Sequence, residues 1–110
     1  MRYDAQPDVL DIVTVDVQDV TGLTQVFGQA CWLLGWCLSS SDVAAPVDVE
    51  LWDGSDNHGS ALGTLRIPAG TSDTRLPGLP GIPVESALTL NVLVGTLVGA
   101  LTIGSTRWTT

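Results

Sequence analysis

The chain has 110 residues, with four arginines, no lysine and twelve acids, for a formal charge of −8 at pH 7. That length makes one domain, and burying roughly 65% of the surface of the unfolded chain gives it a core without staples. The negative charge repels phosphate backbones and anionic bilayers at long range, so nucleic acid is a poor partner and neither nucleic acid nor membrane is expected as one.

Residues Met1 to Asp8 read as an irregular N-terminal arm ending near Pro7, ahead of a domain spanning 9–110. The arm has no apolar h-region, so no secretory signal is expected. From Val9 to Val20 apolar and polar residues alternate (Val13, Val15 and Val17 against Thr14, Asp16 and Gln18), the pattern of a strand with one wet face. Thr21-Gly22 is expected to turn this strand, and Leu23 to Phe27 to form a short second one.

Ala30 to Leu38 is apolar on both alternations and is expected to be a core strand, with Gly28 and Gly35 arguing against a helix. In an extended strand Cys31 and Cys37 lie roughly 20 Å apart on one face, too far for a disulfide. Trp32 and Trp36 are then expected to share a face and enter the core. Pro46 to Trp52 alternates, with Val47, Val49 and Leu51 inward and Asp48, Glu50 and Trp52 outward. It pairs in a hairpin with Ala61 to Ile67 through the turn formers Asp53 to Ser60. A brief strand follows from Thr71 to Leu76. Prolines 77, 80 and 83 predict a loop outside the sheet. Leu88 to Val94 and Leu97 to Ile103 are read as a last hairpin turning at Gly95. The sum is an all-β fold, a single antiparallel β-sandwich of jelly-roll or Ig-like type with about seven or eight strands.

No cluster of residues offers catalytic chemistry. His58 is the only histidine, and with Asp56 it sits in a turn-rich loop lacking any G-x-S-x-G elbow. Asp48 and Glu50 are neighbours on one exposed strand face and read as solubility charge in preference to a glycosidase pair. Asp53, Ser55 and Asn57 imitate a calcium loop, but the glycine is misplaced and the twelfth-position acid is missing. No metal and no cofactor is therefore expected. Trp52, outward beside that loop, and Trp108, near the end of the chain, are the aromatic candidates for a contact surface. Arg2 and Tyr3 add an interface-type pair on the arm.

The succession Cys31-Trp32-Leu33-Leu34-Gly35-Trp36-Cys37-Leu38, Val49-Glu50-Leu51-Trp52-Asp53-Gly54, Gly81-Ile82-Pro83-Val84 and Leu90 to Gly99 resembles head decoration (cement) proteins of tailed bacteriophages infecting actinobacteria. The resemblance runs roughly from Gly28 to Ser105. It implies a non-enzymatic β-domain, made in the host bacterial cytoplasm, that binds the outer surface of the virion. Its implied partners are the major capsid protein and copies of itself, a trimer being favoured. It carries over no functional residues. The alternative is a carbohydrate-binding or host-attachment module that stacks sugars on Trp52 and Trp108.

Overall fold

The computed structural model describes residues 9–76 and 81–107. The fold is all-β and antiparallel. Its strands are β1 (Val9–Phe27), β2 (Cys31–Ser40), β3 (Val47–Asp53), β4 (Ser60–Ile67), β5 (Ser72–Arg75), β6 (Ile82–Val84) and β7 (Leu88–Arg107). All seven join one sheet in the order β4-β3-β7-β2-β5, with β1 added to β7 and β6 to β2. The sheet curls into a half-barrel, so the layers expected of a sandwich are two halves of one continuous hydrogen-bonded surface.

Two long strands produce this continuity, and both replace a turn expected from the sequence. β7 is a single strand of 20 residues, with no hairpin at Gly95. Its first half pairs with β3 (Leu51↔Leu90) and its second with β2 (Leu38↔Gly99). Gly95, at φ +83°, lies where the partner changes, and a Cβ there would press on the Pro46 carbonyl and come within 3.0 Å of the Val47 side chain. Glycine therefore bends the strand here without ending it. β1 follows β7 past the same corner as one strand of 19 residues, so Thr21-Gly22 does not end it. Its register shifts at Val17/Val20 and Val20/Gly22, and Asp19 takes a positive φ of 50°. Bulges let an edge strand turn a barrel corner while keeping its ladder.

A bulge also overturns the shared face of the two cysteines. Leu33 pairs with Ile103 but Gly35 with Thr102, so Leu34 is an extra residue and the alternation inverts across it. Before the bulge Cys31 and Leu33 point inward; after it Leu38 and Ser40 do, leaving Cys37 exposed. Both thiols are free. Trp32 and Trp36 are separated in the same way. Both are half-buried, but Trp36 packs against the core whereas Trp32 lies on the opposite alternation.

The core is one cluster drawn from both halves, with Leu38, Leu97 and Leu101 from one and Val49 and Leu90 from the other, all fully buried. Each such side chain contributes about 1.5–3 kcal/mol by leaving water. The β3–β4 hairpin forms as the alternation predicts, with Val47, Val49 and Leu51 buried and Asp48, Glu50 and Trp52 on the outer face. Pro83, assigned to a loop by the sequence, belongs to β6 and pairs with Trp32. A three-residue edge strand admits a proline because its other side needs no ladder donor.

Candidate functional site

The outer face of the β3 half holds a hydrogen-bonded polar group. Glu50 and Asn91 are cross-strand partners, as are Trp52 and Thr89. One Glu50 oxygen, Oε1, accepts from Trp52 Nε1 at 3.1 Å and from Asn91 Nδ2 at 2.9 Å. Trp52 is thus half-buried and held by the acid two residues before it, which alternation places on the same face. Asp48, next on that face, has Oδ1 buried without a hydrogen-bond partner among the described residues. Arg66 Nε lies 3.5 Å from it, a coulombic contact from an exposed side chain and worth little. On this face Glu50 is thus engaged by two donors, while Asp48 faces the Arg66 guanidinium.

The Asp53 loop is a structural lock. Asp53 Oδ2 accepts from the Glu85 amide at 2.8 Å, and Oδ1 accepts from the Ser86 amide and hydroxyl at 3.0 and 3.1 Å. The Gly54 amide donates to the Ala87 carbonyl at 2.8 Å, and the buried Thr89 hydroxyl donates to the Gly54 carbonyl at 2.6 Å. Burial pushes the Asp53 carboxyl up. The hydrogen bonds from Glu85, Ser86 and Ala87 together outweigh it and leave the group below its ordinary 3.8. Burial, with the Asp53 charge adding to it, pushes the Cys31 thiol up to about 11.

His58 Nδ1 lies 3.6 Å from Asp56 Oδ2 at the exposed loop tip. The hydrogen bond there, from the His58 amide to Asp56 Oδ1 at 2.8 Å, is a local turn contact. Among the described residues no group of three or more His, Cys, Asp or Glu side chains is placed to hold a metal ion. Likewise no helix long and apolar enough to cross a membrane is present among the described residues. Arg2, Tyr3 and Trp108 lie outside the described residues, so of the sequence-selected contact residues only Trp52 has a described position.

Two features escape a reading of alternation. Trp36 Nε1 donates to Asp73 Oδ1 at 2.8 Å, and the Arg75 guanidinium lies 5.7 Å from the centre of the same indole. This cation–π and hydrogen-bonded pairing fastens the short β5 to β2. It requires the β2 bulge, which points Trp36 to the face of Asp73 and Arg75. The second feature is the outer edge of β1. β7 is its only ladder partner, so the opposite edge is unpaired among the described residues along the strand.

No protein-family model, no curated protein and no solved structure matches the chain.

Proposed function

We propose that this chain is a non-enzymatic structural protein that docks on the outside of a larger protein assembly. The sequence resemblance directs that reading to the capsid surface of a tailed phage, with the major capsid protein as partner and a trimer as the favoured self-assembly. The observation that carries it is the open edge of β1, a 19-residue strand that pairs with β7 on one side and has no strand on the other among the described residues. Such an edge is a template for another chain, and proteins that do not use one usually cover it. The experiment is co-sedimentation of the purified chain with phage heads that lack it, followed by capsid-melting measurements. Saturable binding that raises the melting temperature of the head supports the reading; no binding contradicts it.

A second reading, a carbohydrate-binding or host-attachment module, draws on the Trp52, Glu50 and Asn91 group. A half-exposed indole beside a carboxylate and an amide offers stacking and hydrogen bonding to a sugar. Quenching or shift of tryptophan fluorescence by glycans, abolished in Trp52→Ala, would favour it over capsid docking.

A further inference from the structure

We propose that the β1 edge takes up an extended strand from a partner protein, one that alternates β-branched apolar residues with Lys or Arg. This rests on the docking reading above and names the chemistry of the docked segment.

β1, at 19 residues, is nearly as long as β7, and among the described residues it is paired along one side only. The other edges are short: β5 has four residues, β6 has three including a proline, and β4 has eight. β1 contains no proline, and its bulges, which would blunt an edge, lie beyond Val17. Its straight run, Asp11 to Val17, pairs without a register shift against Ser105 to Gly99.

The side chains of that run specify the occupant. Val13, Val15 and Val17 share the core-facing alternation. Val17 is 2% exposed but Val13 is 40% exposed, although Val13 continues a row through Ile103 into Leu33, both fully buried. An apolar side chain on an added strand would complete that row. On the other alternation lie Ile12, 63% exposed, then Thr14 and the exposed Asp16, with Asp19 exposed at the bulge. Every ionisable side chain of β1 is an aspartate. A second copy would bring a further −8 of net charge up to this acidic edge. A basic residue at alternate positions would instead meet Asp16 across the new ladder. The acids thus oppose self-pairing and favour a cationic strand from outside.

The test uses the full chain and a fluorescein-labelled peptide alternating Val with Lys, long enough to span Asp11 to Val17. Fluorescence anisotropy gives affinity, and hydrogen exchange locates the site. We expect binding that protects amides within 9–27, about tenfold weaker affinity when Glu replaces Lys, and loss when the peptide carries Pro at alternate positions. Asp16→Lys, at an exposed position, should fold normally and reverse the preference between the Lys and Glu peptides. Equal binding of both peptides, protection confined to other strands, or β1 becoming protected by self-association would each overturn the inference. If the peptide fails to bind while the chain still sediments with heads, the inference falls and the docking reading stands.

Discussion

Asp53 Oδ2 accepts the backbone amide of Glu85 at 2.8 Å, joining the end of β3 to the turn that precedes β7. Because the folded carboxyl titrates below its ordinary 3.8, the sign of its linkage to stability is fixed. Its contribution is fully present above 3.8 and is lost as pH falls through the folded value. Thermal melts should fall more steeply below pH 4 for the native chain than for Asp53→Asn. At pH 7 that variant should be less stable by about 1–2 kcal/mol, through weaker bonds to the Glu85 and Ser86 amides.

The β2 bulge makes the two thiols unlike. Cys37, exposed and accepting from the Thr74 hydroxyl at 3.6 Å, should be alkylated in the native protein at neutral pH, and Cys31 should not. After denaturation without reductant both should be alkylated, since both are free. The Cys31 thiol is raised from 9.0 to about 11, so its contribution is complete below 9 and declines as pH rises through about 11. Mass spectrometry of the alkylated protein reads both states; one equal rate for the two cysteines would contradict the bulge.

Gly99 fixes the approach of β7 to β2. It has φ +137°, and a Cβ would run into the Cys37 carbonyl oxygen, a backbone atom that cannot swing away. Gly99→Ala should therefore cost roughly 2–4 kcal/mol, from the strained φ and the overpacking together. Urea denaturation measures it. Gly63→Ala is the control, because a Cβ there meets nothing within 4 Å, and it should change stability little.

Glu50→Ala should leave the Trp52 indole and the Asn91 amide without their shared acceptor, costing about 1–2 kcal/mol. Trp52 should become more solvated, seen as a red shift in emission. Stability and emission unchanged from the native chain would show that the outer-face group is not organised by Glu50.

Strand positions and the β3–β4 hairpin were legible in the sequence because alternation encodes which face is buried. The failures have one physical origin. A bulge or a glycine bend uses the same residues as a turn, and single-strand alternation carries no information about the partner. Val94-Gly95-Thr96 thus reads equally as a hairpin turn or as the corner of β7. Leu34 looks like one more core leucine, although it inverts the alternation of β2 and separates Trp32 from Trp36. Of the candidate site, Trp52 and Glu50 were legible as outward-facing. Asn91, in a neighbouring strand, became their partner only through the β3–β7 register. The open edge of β1 is a property of topology and leaves no mark in its own residues beyond the missing proline.

The most direct measurement of the docking account is hydrogen exchange of the chain free and bound to phage heads, resolved along β1. The account predicts that amides facing the unpaired edge exchange readily in the free chain and gain protection on the head, above all between Asp11 and Val17. Binding that leaves β1 unchanged and protects the outer face around Trp52 and Asn91 would contradict it.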